Sequence, residues 1–331
     1  MFNNKSILIT GGTGSFGKQC LKAILSRYRP KRLIVFSRDE LKQYEMQQGE
    51  YQHSALRYFL GDIRDEDRLV QAMQGVDYVF HAAALKQVPA AEYNPMEFIK
   101  TNINGTENVM KAALRNEVAK VIVISTDKAV SPLNLYGATK LVAEKLSVAA
   151  NNIAGGHRTR FAVVRYGNVA GSRGSVLPLF RKLIAAGAQE LPVTDEGMTR
   201  FWLTINEGVD FALKSMGRMQ GGEVFVPKIP SIRIIDLVAS IRPGIPVKKI
   251  GIRPGEKLHE VLCPADGSHL TLEFKDHFVI KPTINFVVKV DYRVNPLGEK
   301  GVPVKLGFEY NSGNNPHFLT VDQIREMNRN L

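Results

Sequence analysis

Two short stretches hold the side chains best placed to do chemistry: Ser125-Thr126-Asp127-Lys128 and Tyr136-Gly137-Ala138-Thr139-Lys140. A spacing of four puts Tyr136 and Lys140 on one face of a helix. An ammonium beside a phenol lowers the phenol's pKa and prepares it to take a proton from an alcohol as hydride leaves the carbon. Thr126 closes an apolar, β-branched run and can hydrogen-bond the same alcohol.

Hydride needs an acceptor, and the N-terminal region offers a place for one. Gly11-Gly12-Thr13-Gly14-Ser15-Phe16-Gly17 follows a short apolar run and opens a helical pattern, the context a dinucleotide fingerprint requires. Gly11, Gly14 and Gly17 permit a tight turn and close backbone approach. Thr13, Ser15 and Phe16 complete a loop that sets the helix N-terminus against a pyrophosphate. An NAD site usually carries an acid at the end of the second strand. Ser37 and Arg38 stand there instead, with Lys42 one turn further on. A guanidinium and an ammonium suit a 2′-phosphate, so NADP is the expected cofactor. Asp62, followed by Ile63, ends the third strand and can accept from the adenine amino group. Ala82, in His81-Ala82-Ala83-Ala84, leaves room for the cofactor, and His81 reads as a packed histidine. Lys86 can meet a phosphate or a substrate oxygen.

These residues need a scaffold, and the first half of the chain supplies one. Apolar runs at Ser6–Thr10, Arg32–Phe36, Leu56–Leu60, Val76–His81, Val121–Ser125 and Phe161–Arg165 alternate with helical patterns at Phe16–Arg27, Pro95–Arg115 and Leu135–Ala150. Strands separated by helices imply a parallel sheet with right-handed crossovers. The predicted fold is α/β: a Rossmann-type, doubly wound parallel sheet over residues 1–170. A smaller α/β substrate region follows over residues 171–331, with a return crossing to the first domain allowed. Beyond Gly167 the rhythm breaks into Gly, Pro and short apolar runs, and the last forty or so residues are polar and Asn-rich.

The 331 residues carry 44 Lys plus Arg against 32 Asp plus Glu, a net charge of +12, and are 44% hydrophobic. That composition excludes a disordered chain, a collagen and a disulfide scaffold. Two cysteines fit a reducing compartment, and no apolar run is long enough for a membrane span or signal peptide, so a cytoplasmic protein is expected. The basic balance favours anionic partners. The charge is scattered, without an aromatic-rich RNA motif or a recognition-helix pattern, so nucleic acid is not expected. No metal site is expected either.

The glycine loop, the Tyr136–Lys140 pair and Thr126 together resemble the extended short-chain dehydrogenase/reductase family. Asp127-Lys128, inside Ser-Thr-Asp-Lys-Ala, is similar to its branch of C5-inverting UDP-N-acetylhexosamine 4,6-dehydratases. So are the segments Phe36–Gln43, Met198–Trp202 and Arg253–Glu260, and the likeness runs from Asn4 to about Pro282.

The resemblance implies a sequence of steps. C4 is oxidised with Tyr136 taking the hydroxyl proton. Lys128, if neutral, removes the C5 proton, and Asp127, if protonated, assists departure of the C6 hydroxyl. Hydride then returns to C6, and C5 is reprotonated from the opposite face with Lys128 as donor. The net reaction is that of a lyase. A lysine near its ordinary pKa is a poor base at neutral pH, so Lys128 must be depressed by burial or a neighbouring cation such as Lys140. The UDP-sugar is expected to meet Lys86, Thr126, Asn168, Val169, Arg173, Arg200, Arg253 and Glu256, the arginines gripping the diphosphate. Phe201 and Trp202 read as core. The competing expectations are a related C4 epimerase, a C5-retaining dehydratase and a non-catalytic NADP-binding regulator. Members of the branch form homo-oligomers, with a hexamer plausible, and feed pseudaminic acid synthesis.

Overall fold

A computed structural model describes residues 1–172, 174–284 and 290–329. Six parallel strands carry the first half: β1 (Ser6–Thr10), β2 (Arg32–Ser37), β3 (Leu56–Leu60), β4 (Tyr78–His81), β5 (Lys120–Thr126) and β6 (Arg160–Tyr166). Their order across the sheet is β3-β2-β1-β4-β5-β6. The strand order reverses between β1 and β4, and ligands of such sheets bind outside the carboxyl ends of the strands at that switch point. Every residue of β1 is buried, as are Val121, Ile122 and Val123 of β5. Helices cover both faces of a parallel sheet, which is why these strands are apolar throughout rather than alternating.

The sheet continues with residues from beyond 171. Val224–Pro227 joins β6 in parallel, and His277–Ile280, Thr271–Glu273 and Val302–Pro303 follow antiparallel. A separate apolar cluster forms around Phe180, Leu191, Trp202, Ile232, Leu237 and Ile324. Phe201 and Trp202 are fully buried, in keeping with their reading as core.

The Asn-rich tail is structured. Tyr310–Asn311 pairs with Val261–Cys263, and the Tyr310 hydroxyl donates to Ile229 O at 2.8 Å. A capping box of Thr320 and Gln323 starts the helix Val321–Met327.

The pattern predicted one helix over Pro95–Arg115. The structure divides it into Pro95–Phe98, a π-helical turn Ile99–Asn104 and Gly105–Arg115. At Gly105 a Cβ would lie 2.6 Å from the Ile63 side chain, which packs directly against the glycine. The π turn presents Asn102, whose amide donates to Leu85 O at 2.9 Å and to Thr139 Oγ1 at 3.0 Å. It therefore ties the segment after β4 to the helix Leu135–Ile153, which bears Tyr136.

Candidate active site

The glycine loop is built for close approach. Gly11 has φ +67° and a Cβ there would come within 2.9 Å of the Ala83 backbone; at Gly17 it would come within 2.5 Å of Gly12. The helix Ser15–Arg27 starts at Gly14 without a side-chain cap and without an acid in its first turn. Its first N–H groups thus remain available to an anion. These features fit a dinucleotide pyrophosphate.

The end of β2 fits the ribose. Ser37 Oγ lies 2.9 Å from Thr13 Oγ1. Asp39, the nearest acid, is committed elsewhere: it caps the helix Glu40–Gln48 by accepting from Lys42 N at 3.0 Å, and it pairs with the Lys42 ammonium. Arg38 is half-exposed and lies 3.6 Å from Asp62. Burial works to raise the Asp62 pKa, but Arg64 at 2.8 Å, with Arg38 behind it, brings the carboxyl below its ordinary value. Ile63 is buried and Lys86 is exposed. His81 is buried between Thr10 and Thr106, with ring nitrogens 2.7 and 3.0 Å from their hydroxyls. Burial, with a smaller contribution from Lys140, lowers its pKa to about 3, so it packs as a neutral ring.

The reactive groups converge where β5 ends. Thr126 caps a short turn, Asp127–Ala129, by accepting from Lys128 N at 3.3 Å, and its hydroxyl donates to Asp127 Oδ1 at 3.0 Å. Asn134 caps the Tyr136 helix and also donates to Gly255 O at 2.8 Å. At Gly137 a Cβ would stand 2.1 Å from Lys128 O, so only glycine lets the helix start against that turn. Asp127 is fully buried; Lys128 Nζ lies 3.1 Å from its Oδ1 and 3.4 Å from Glu260 Oε1.

Two electrostatic expectations are corrected here. Lys140 is not among the groups that shift Tyr136, and its ammonium donates to Ile124 O at 2.8 Å. Burial pushes the phenol up to about 12, opposed by Lys128 and a Thr126 hydrogen bond, with Asp127 adding to the rise. The cation that favours phenolate is therefore Lys128. Lys128 itself is not depressed. Burial works against its charge, but Asp127 and Glu260 outweigh burial and Arg200, and its pKa is raised. The sequence pointed to cations around this amine; the fold sets two carboxylates, Asp127 and Glu260, within 3.4 Å of it, and they outweigh the cations nearby.

The remaining expected residues divide into groups. Arg200 is buried, donates to Thr199 O at 2.7 Å and lies 3.8 Å from Glu260. Arg253 pairs with Glu256, which also accepts from Thr194 at 3.3 Å. Asn168 lies opposite Trp202 in a two-residue strand with Val169, and its buried Oδ1 has no partner among the described residues. Arg173 lies outside the described residues. Glu260 and Asn102 are the residues the sequence did not single out. Glu260 ends the segment Arg253–Glu260, which did carry a resemblance; nothing local marks Asn102. Among the described residues there is no His, Cys, Asp and Glu group that could hold a metal, and no helix is long and apolar enough to cross a membrane.

Sheet order, glycine loop and the Tyr136 helix define a Rossmann-type protein of the short-chain dehydrogenase/reductase kind. The chain belongs to the polysaccharide biosynthesis protein family, whose model matches residues 7–282. It is 57% identical over 328 residues, 99% of this chain and 98% of the relative, to an inverting UDP-N-acetylglucosamine 4,6-dehydratase of Campylobacter jejuni subsp. jejuni serotype O:2. It is 40% identical over 338 residues, 99% of this chain and 96% of the relative, to a UDP-glucose 4-epimerase of Rickettsia rickettsii. Among solved structures, Pen from Bacillus thuringiensis superimposes with a TM-score of 0.88 at 39% identity, covering 100% of this chain and 98% of that one.

Proposed function

We propose that this chain is a hydro-lyase: an inverting 4,6-dehydratase that converts UDP-N-acetylglucosamine to a UDP-4-keto-6-deoxy-N-acetylhexosamine. The observation that carries this reading is the Asp127–Lys128 pair at the end of β5, its carboxylate buried and its ammonium partly exposed, beside Tyr136. The 57% identical dehydratase supports it along nearly the whole chain. The cofactor is a nicotinamide dinucleotide, held by Gly11, Thr13, Gly14, Ser15, Phe16 and Gly17, with Asp62, Ile63, Ala82 and Lys86 at its rim. NADP is favoured over NAD because Arg38 and Lys42 stand at the end of β2 and Asp39 is used as a helix cap.

When bound, that group accepts and later returns the hydride. The chain's own residues do the proton work. Tyr136 takes the C4 hydroxyl proton, with Thr126 orienting the oxygen. At rest Lys128 is an ammonium beside the Asp127 carboxylate. One proton passed across their 3.1 Å hydrogen bond makes an amine and a carboxylic acid together. The amine takes the C5 proton, made acidic by the C4 ketone, and the acid protonates the departing C6 hydroxyl. The pair is then again ammonium and carboxylate; the ammonium donates a proton to the opposite face of C5, which inverts that centre, and the amine left behind is recharged by the proton that Tyr136 took from the C4 hydroxyl. Arg200 and Arg253 are assigned to the diphosphate, with Asn168, Val169, Lys86 and Glu256 lining the rest.

Incubation of the purified protein with UDP-N-acetylglucosamine tests the reading. A 4-keto-6-deoxy product supports it. The galacto isomer in its place would make the chain a C4 epimerase, like its 40% identical relative.

A further inference from the structure

We infer that Glu260 is the positioning residue for Lys128, a buried carboxylate brought from the C-terminal half of the chain that holds the Nζ in place and fixes its charge state. The inference rests on the dehydratase reading for the role of Lys128. Glu260 is 2% exposed, and its Oε1 lies 3.4 Å from Lys128 Nζ and 3.8 Å from Arg200 Nε. Its Oε2 is buried without a partner among the described residues. A buried carboxylate is costly unless it is paired, so its neighbours must repay the desolvation.

The backbone is clamped to keep it there. Glu260 N donates to Ser312 Oγ at 2.9 Å, and Ser312 N donates to Glu260 O at 2.8 Å. The Ser312 hydroxyl lies 2.8 Å from Thr199 Oγ1, which lies 2.8 Å from His259 Nδ1. The tail, silent in the sequence, therefore fixes a side chain at the reactive centre.

The charged and titratable groups around Lys128 are Asp127 on its own turn, Tyr136 on the following helix, Glu260 and Lys257 before Val261–Cys263, and Arg200 on Thr199–Leu203. Asp127 has its own chemical task, exchanging a proton with Lys128: the N–H bond breaks as the O–H bond forms. Glu260 then faces an amine. When the C5–H bond breaks, its electron pair moves into the C4 ketone and its proton forms a new N–H bond. The returning positive charge meets the Glu260 carboxylate. Glu260 exchanges no proton; it steadies the charge that appears and disappears on Lys128.

The test compares wild-type holoenzyme with Glu260→Gln and Glu260→Asp. Acetic anhydride labels neutral amines, and labelling of the Lys128 peptide is read by mass spectrometry at fixed pH. Removing the carboxylate disfavours the ammonium, so Lys128 labels about tenfold faster in Glu260→Gln, the change expected for one pKa unit. Glu260→Asp returns the rate toward wild type. The kcat limb governed by Lys128 moves to lower pH, and KM changes less than kcat. Lys140 reports loosening, because it lies against Glu144 rather than Glu260. An unchanged Lys128 rate, or an equal rise at Lys140, overturns the inference. If Glu260→Gln does not fold, Glu260→Ala takes its place, and an unchanged Lys128 rate there overturns the inference. A wild-type protein that makes no 4-keto-6-deoxy sugar defeats the dehydratase reading, while labelling still decides what Glu260 does to Lys128.

Discussion

The Lys140 ammonium donates to the carbonyl of Ile124 at 2.8 Å, tying the helix that bears Tyr136 to the strand that ends in Thr126. Burial pushes its pKa down to about 8 from 10.5, with Glu144 opposing. Between those values the folded chain binds fewer protons at this site than the unfolded chain, so this lysine's contribution to stability rises with pH across that window. The stability difference between wild type and Lys140→Met, measured by urea unfolding at about pH 7 and about pH 9.5, should move in favour of wild type at the higher pH. A difference independent of pH would mean that Lys140 keeps its ordinary pKa.

Tyr136 and Asp127 act at different stages, and their variants should stall differently. Tyr136→Phe cannot take the C4 proton, so turnover should fall by about 10²–10⁴-fold with no reduced cofactor accumulating. Asp127→Asn leaves C4 oxidation possible but removes the acid for the C6 hydroxyl. Reduced cofactor should therefore build up in its near-ultraviolet band without product. The same trace from both variants would show that the two residues do not divide the work.

The proposed preference for NADP rests on Arg38. It is half-exposed just after β2, 3.6 Å from Asp62, and the adjacent acid, Asp39, already caps a helix. Arg38→Ala should weaken NADP binding by about tenfold, the loss of one charge-assisted hydrogen bond, and leave NAD nearly unchanged. Calorimetric titration of both nucleotides measures this; equal losses would remove the argument for a 2′-phosphate site.

Glu144 and Arg165 form a buried two-bond pair, at 3.0 and 2.5 Å, and Arg165 also donates to Leu262 O at 2.7 Å. Removing one partner strands a buried charge. Glu144→Ala should destabilise the chain by about 3–5 kcal/mol in chemical unfolding. A loss below about 1 kcal/mol would place the pair in effective contact with solvent.

The sheet was legible because strands buried on both faces appear as unbroken apolar runs, and β1 and β5 do. The glycine loop and Tyr136–Lys140 were legible because their geometry is local. What escaped depends on distant pairing. Val302–Pro303 and Tyr310–Asn311 are two-residue strands with no pattern of their own, each placed by a partner from another part of the chain. Spacing put Lys140 on the same helix face as Tyr136, yet its ammonium hydrogen-bonds the Ile124 carbonyl, a partner that no spacing reveals. The carboxylate that sets Lys128 arrives from residue 260 and is held by residue 312, a relationship that no local spacing reveals.

The central claim concerns protons at C5. The most direct measurement is the NMR spectrum of the product formed from UDP-N-acetylglucosamine in deuterated water. A 4-keto-6-deoxy sugar with inverted C5 bearing solvent deuterium is the expected result. The same ketone with its original C5 configuration would contradict the account.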